Sequence, residues 1–140
     1  MDSVTGFLIG VDGSGAAVEV EATNAGYLAA MQRLVGANLV ERVQVPTAYG
    51  DVDAWVNEEG TFTEAPNIAA TVVVSELAGA QTMPLFGPML LLAEDDWECA
   101  SLSADLLEWI TATHAEVMRR PVMARHIENA RFLAGQMGRH

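Results

Sequence analysis

The sequence predicts an α+β fold: a mostly antiparallel sheet with helices on one face and a helix pair at the C-terminus. Three observations support this prediction. Strand-like segments follow one another through short turns, which favours antiparallel neighbours. Two amphipathic segments each carry a single apolar stripe, which one face of a sheet would cover. Pro121 divides the C-terminal helical region, because proline lacks the amide donor that a helix interior needs.

A β-hairpin opens the predicted fold. The apolar runs 6–11 and 17–22 flank Asp-Gly-Ser-Gly at 12–15, and Asp-Gly between two apolar runs is a strong hairpin signal. The glycines of this region also resemble a phosphate-binding loop. No Gly-Lys-Ser/Thr follows them, however, and the next segment alternates as a strand, so the hairpin is the better interpretation.

One helix and one strand follow the hairpin. Thr23 or Asn24 caps a segment in which apolar residues recur at helical spacing, until Gly36 supplies a left-handed stop. Residues 39–45 then alternate as a strand, which Pro46 ends.

The middle of the chain contains one clear strand and one ambiguous segment. Apolar and polar residues alternate over 52–57, and the polar run 57–60 turns this strand. In the segment 67–77, Asn67 is suited to cap a helix, whereas the β-branched run 71–74 favours a strand. Propensity alone favours the strand.

The C-terminal half predicts a second hairpin and the two helices. A buried strand spans 88–93, and an acidic turn leads into 97–100, which completes the hairpin. Ser103 caps a helix that ends before Pro121, and a last helix runs from Pro121 to about Met137.

Three short motifs carry a family resemblance. They are Val-Asn-Glu-Glu-Gly at 56–60, Pro-Asn-Ile-Ala-Ala-Thr at 66–71, and Gly-Pro at 87–88 before an apolar strand. Over roughly residues 1–110 the chain resembles domain of unknown function 3846, a family encoded largely by phages, plasmids and other mobile elements. The resemblance implies a helix over 67–77 and supplies no catalytic residues. Ala69 stands where the family often carries an arginine, so no anion-binding role is implied there.

Charge is distributed unevenly along the 140 residues. Lysine is absent, and residues 1–118 hold 18 acidic residues and two arginines, a net charge of −16. Residues 119–140 hold five arginines and one acidic residue, a net charge of +4. We expect an α+β domain over 1–118 and an arginine-rich helix over 119–140 that packs on it or on a neighbouring subunit. The acidic body disfavours direct binding to nucleic acid.

Composition also limits the class of protein. The longest apolar run is far shorter than the roughly 20 residues that span a bilayer, and the N-terminus lacks the basic region of a signal peptide. We therefore expect a soluble, cytoplasmic protein. The single cysteine, Cys99, excludes an internal disulfide and is expected to be a packing residue.

Three groups of polar residues could carry chemistry, and each has a simpler interpretation. Glu58 and Glu59 could bind a metal or act as acid and base, but adjacent carboxylates on a turn are usually solvated. The acidic turn 94–96 lacks the spacing of a calcium loop. His114 and His126 lack a third metal ligand. We predict a protein without enzymatic activity, metal or cofactor.

The predicted function is that of a phage or mobile-element accessory protein that binds a host protein, such as a defence factor, through an acidic surface that imitates the charge of DNA. The C-terminal helices carry more large apolar side chains than a small sheet covers, so we also expect a homo-oligomer. Its interface is expected to use Trp109, Met118, Arg119, Arg120, Met123, Arg125, Phe132 and Met137.

The alternative function is sequestration of a nucleotide signal in a pocket. A strand end, the N-terminus of a helix and a Gly-Pro turn could converge on one cleft that offers an aromatic face and amide groups. The same residues also have a structural interpretation as a core tryptophan, a turn former and a helix cap. The expected ligand-binding residues are Trp55, Asn57, Asn67, Thr71, Phe86 and Gly87.

Overall fold

A computed structural model describes residues 2–96 and 98–137. The strands are β1 (Ser3–Ile9), β2 (Gly15–Glu21), β3 (Val40–Thr47), β4 (Gly50–Asn57), β5 (Met89–Asp95) and β6 (Glu98–Ala100). The helices are α1 (Leu28–Val35), α2 (Gly60–Thr63), α3 (Ile68–Ala78), α4 (Ala104–Met118) and α5 (Pro121–Met137). Every strand pair is antiparallel, in the order β2-β1-β5-β4-β3, and β6 pairs with the end of β5. The predicted α+β class is confirmed.

The ambiguous segment 67–77 adopts the conformation that the family resemblance implies. Residues 68–78 form helix α3, with Asn67 as its cap, so the expected helix is confirmed. Its β-branched valines are tolerated because the core buries Val73 and Val74 completely. The four-residue helix α2 has no counterpart in the prediction.

Strand β3 continues past Pro46, where the sequence predicts its end. The Leu39 carbonyl accepts a hydrogen bond from Glu58 N at 2.9 Å, and hydrogen-bonded pairs alternate along an antiparallel ladder. Pro46 is seven residues from Leu39, so it falls in a pair without hydrogen bonds to β4. Its missing N–H therefore lies on the free side of this edge strand, where it costs no ladder bond.

Helices cover both faces of the sheet, which corrects the expectation that they cover only one. Side chains alternate along a strand, so the apolar run of β5 divides between the faces. Met89 and Leu91 join the core under α3, α4 and α5, whereas Leu90 and Leu92 join a second core under α1. A strand that is apolar on both sides needs cover on both sides.

The C-terminal helices occur at the predicted bounds. Ser103 caps α4, since its Oγ accepts from Leu106 N at 3.2 Å. Helix α5 packs on the main core through Met123 and Ile127, and it contacts α3 as well as α4. No helix in the described part of the chain is both long and apolar enough to cross a membrane.

Candidate functional site

Two of the three family motifs, 66–71 and 87–88, meet at one point, which we call the junction: Ile9, Asn67, Thr71, Leu85 and Gly87. The Asn67 side chain is fully buried, and its Oδ1 accepts from Ala70 N at 3.0 Å. Its Nδ2 donates to the carbonyls of Ile9 at 3.0 Å and Gly87 at 2.8 Å. Both amide donors are used inside the protein. Asn67 therefore joins β1, α3 and the segment before β5, and offers no free N–H to a ligand.

Thr71 and Gly87 complete the junction. The Thr71 hydroxyl donates to the Asn67 carbonyl at 2.8 Å and accepts from Leu85 N at 2.9 Å. Gly87 has a φ of +77° and its N donates to the Ala65 carbonyl at 2.9 Å. A Cβ at this position would approach Glu64 Cγ to 3.0 Å. The left-handed backbone therefore favours glycine at this position, and any side chain here would displace that of Glu64.

Asn57 ends strand β4 and shapes the turn into α2. Its Oδ1 accepts from Glu59 N at 2.9 Å, and its Nδ2 lies 3.3 Å from Thr63 Oγ1. Glu58 and Glu59 are exposed on this turn. Within residues 2–96 and 98–137, no group of three or more histidine, cysteine, aspartate or glutamate side chains could hold a metal ion.

The six residues expected to bind a nucleotide do not form one cleft. Trp55 lies on the α1 face of the sheet, opposite the core that contains α3. Its Nε1 is buried and has no hydrogen-bond partner in the described residues. Two of the six, Asn57 and Phe86, line one surface depression of ≈360 Å³. The polar side chains of Asn67 and Thr71 are used in the junction, and Trp55 lies on the other face of the sheet. A ligand-binding role for these residues stays a prediction.

Glycines of the first hairpin allow its loop to pack on α4. The carbonyl of Gly13 accepts from His114 Nε2 at 2.8 Å, and the His114 ring makes an edge contact with Phe7 at 5.6 Å between centroids. A Cβ at Gly15 would lie only 2.6 Å from the His114 ring. These glycines thus serve close packing. His126 lies on α5, in a separate groove.

Strand register gathers acidic residues at one end of the sheet. Ser3 pairs with Glu21, and Asp95 pairs with Glu98. Because Ile9 pairs with Met89 in an antiparallel ladder, the start of β1 and the end of β5 lie at the same end. We call this surface the acidic end: Asp2, Glu19, Glu21, Asp51, Glu94, Asp95, Asp96 and Glu98.

Arg42 is the single basic residue in the six strands. Its Nη1 lies 2.9 Å from Glu94 Oε2 and 3.8 Å from Asp53 Oδ2. Burial raises the pKa of Asp53, and Arg42 opposes that effect. Burial also raises the pKa of the Cys99 thiol, whose Sγ lies 3.9 Å from Met31 Sδ. Cys99 is half-buried and packs against α1, which agrees with the packing role expected for it.

Several of the expected interface residues are used inside the chain. Met123 is only 3% exposed, and Trp109 and Met118 pack on the main core. Arg120 Nη2 lies 2.8 Å from both Glu76 Oε1 and Glu116 Oε2, and hydrogen bonds to these carboxylates raise the pKa of Arg120. The exposed residues of the expected set are Arg119, Arg125 and Phe132, and the side chain of Met137 lies outside the described part.

The structure reveals an apolar groove that the sequence patterns do not indicate. We call it the α2–α5 groove, and its volume is ≈710 Å³. Phe62 on α2 is 90% exposed and Leu133 on α5 is 60% exposed. Helix α2 is too short to show a periodic pattern, so the sequence provides no signal for Phe62. Most of the remaining lining is apolar: Ala65, Pro66, Ile68, Phe86, Ala130 and Ala134.

Comparison with known proteins connects the chain to a family. A family model described as a domain of unknown function, DUF3846, matches residues 6–115. The matched range extends from β1 into α4 and leaves α5 outside. Neither the curated proteins nor the solved structures yield a match.

Proposed function

The chain belongs to the DUF3846 family, and we propose that it acts by binding a basic surface of a protein partner through its acidic end. In this proposal the chain is an accessory protein of a phage or mobile element in the host cytoplasm. Its partner is a host protein that binds nucleic acid, such as a defence factor, and its activity is binding without catalysis. The chain assembles as a homo-oligomer through its C-terminal helices.

The observation that carries the proposal is the charge of the acidic end. Eight carboxylates come from β2, β4, β5, β6, the turn between β5 and β6 and the residue before β1. Five of them have no hydrogen bond or ion pair among the described side chains: Asp2, Glu21, Asp95, Asp96 and Glu98. Asp51 accepts only a 3.2 Å bond from Gln44, an uncharged side chain. Arg42 is the one strand residue that offsets this charge.

Such a surface favours a basic partner. Neighbouring strands lie about 5 Å apart, so carboxylates on adjacent strands are within one Debye length of each other and their potentials add. The summed field attracts a basic protein surface and repels nucleic acid. A host protein that binds DNA or RNA offers a complementary basic surface, and the acidic end would compete with nucleic acid for it.

The test compares two triple variants that remove equal charge from opposite ends of the sheet. Asp95→Asn/Asp96→Asn/Glu98→Gln removes three of the eight carboxylates of the acidic end, and Glu41→Gln/Glu58→Gln/Glu59→Gln removes three exposed carboxylates at the other end. Immobilised wild type and variants are incubated with host lysate at low and high salt. Captured proteins are then identified by mass spectrometry.

The proposal predicts a partner that wild type and the second variant retain and the first variant loses. Duplex DNA and high salt should each release it, because both weaken binding to a basic surface. Equal capture by the two triple variants, or capture that DNA leaves unchanged, would count against the acidic end as the binding surface.

A further inference from the structure

We infer that the α2–α5 groove receives helix α5 of a second copy, so that two copies form a two-fold symmetric, antiparallel α5 pair. The inference deepens the proposed homo-oligomer and is independent of the proposed host partner. Phe62 and Leu133, which are both more than half exposed, line this groove together. Apolar surface of this kind favours a protein contact.

Four exposed residues form a seam along the groove side of α5. Val122, His126, Asn129 and Leu133 are spaced by four, three and four residues, which is the spacing of the contact positions in a coiled coil. Val122 is 54% exposed and Leu133 is 60% exposed. An adjacent side of α5 packs Met123 and Ile127 into the core of its own chain, and Ala130, which is also buried, borders the groove. The seam is thus left for another helix.

The seam matches itself when the second helix runs antiparallel. A two-fold axis between His126 and Asn129 places Val122 opposite Leu133 of the second copy, and His126 opposite its Asn129. Val122 and Leu133 lie at equal distances along the helix from this axis, and so do His126 and Asn129. Apolar residues meet apolar residues, and polar residues meet polar ones. Such self-complementarity is what a two-fold interface requires.

The flanks of the seam support the same arrangement. Arg125 and Phe132 are exposed and seven residues apart, so they lie on the same side of α5. In the antiparallel pair, Arg125 of one copy approaches Phe132 of the other, where a guanidinium over an aromatic ring is favourable. Phe62, across the groove, packs on the incoming helix. A seam of four residues per copy is short, so we expect a dimer that depends on protein concentration.

The contact between two α5 helices and the binding of the proposed partner should respond oppositely to salt. Each copy carries a net charge of −12, so two copies repel each other and added salt reduces that repulsion. The dimer therefore strengthens as salt rises, whereas binding of a basic partner weakens. Failure of one proposal is distinguishable from failure of the other.

The experiment measures the mass of the full chain by sedimentation velocity over a wide concentration range at low and high salt. Wild type is expected to shift from 14.9 kDa towards twice that mass. Leu133→Asp is expected to stay monomeric, because it places a charge opposite Val122 of the other copy. Leu28→Asp is the matched control: Leu28 is 50% exposed on α1, far from the groove, and its variant should dimerise. Circular dichroism confirms that both variants fold.

A rescue variant tests the register. Val122→Arg alone should be monomeric, and the double variant Val122→Arg/Leu133→Asp should dimerise again, because each new cation faces a new anion of the other copy. Positions 122 and 133 are about 16 Å apart along one helix, so the new arginine and aspartate of the same chain cannot form an ion pair. Added salt should weaken this restored dimer, because it screens the new ion pairs, whereas it should strengthen the wild-type dimer. A monomeric wild type at all concentrations, a dimeric Leu133→Asp or an unrescued double variant overturns the inference.

Discussion

The junction and the acidic end lie at opposite ends of the same sheet and differ in how their polar groups are satisfied. At the junction, Asn67 is buried and its amide binds three backbone groups from three segments. At the acidic end, the carboxylates are mostly exposed and have few internal partners. The motifs at 66–71 and 87–88 thus supply internal contacts of the fold, whereas the exposed carboxylates lie at the other end of the sheet.

The largest change in the free energy of unfolding is expected from loss of the Asn67 side-chain amide at the junction. Asn67→Ala should lower the free energy of unfolding by about 3–5 kcal/mol, because a helix cap contributes about 0.5–2 kcal/mol and each buried carbonyl left without a donor costs about 1–3 kcal/mol. Urea titration measures the change. Asn24→Ala, at an exposed position, should stay within about 0.5 kcal/mol of wild type. Similar losses in the two variants would mean that the junction does not hold the fold.

A smaller effect is expected where the first hairpin packs on α4. Gly15→Ala should lower the free energy of unfolding by about 1–3 kcal/mol, because its Cβ would meet the His114 ring at 2.6 Å. Gly135→Ala is the matched control, since that site in α5 is open and alanine favours a helix by up to about 1 kcal/mol.

A double variant checks the cause of the Gly15 effect. Adding His114→Ala removes the ring that the new methyl group would strike, so Gly15→Ala should cost less in that background than in wild type. If Gly15→Ala is equally destabilising in both backgrounds, its effect comes from strand β2 and not from the contact with His114.

Near the acidic end, Asp53 should make stability depend on pH. Burial raises its pKa above the usual value of 3.8, so the folded protein holds this proton more tightly than the unfolded chain. Stability is therefore lost as pH rises from the usual value through the raised one. Asp53→Asn should be more stable than wild type at neutral pH, and thermal melts should show that advantage shrinking as pH falls through the raised pKa towards 3.8. A constant difference across that range would contradict the assignment.

The smallest effect is expected from the exposed carboxylates themselves. Asp95→Asn/Asp96→Asn/Glu98→Gln should raise the free energy of unfolding by about 0.5 kcal/mol or less at low salt, because it relieves repulsion between like charges in water. The gain should vanish at high salt, as thermal melts would show. A large loss of stability would mean that these side chains hold the fold, as those of the junction do.

Local patterns were sufficient for most of the elements. The Asp-Gly turn, the Ser103 cap and the break at Pro121 act within a few residues, and each occurs as predicted. The segment 67–77 shows the limit of such patterns. Its β-branched residues favour a strand, and burial against the core outweighs that preference. Helix α2 is too short to leave a periodic signal.

The α+β class, the uneven charge and the positions of the family motifs can be read from the sequence alone. The contacts that these features make depend on the tertiary structure. The partners of Asn67 are Ile9 and Gly87, 58 and 20 residues away, and no local pattern reports such distances. The acidic end forms only when antiparallel register brings β1, β2, β4, β5 and β6 together. Both depend on contacts between distant segments, which follow from packing of the whole chain.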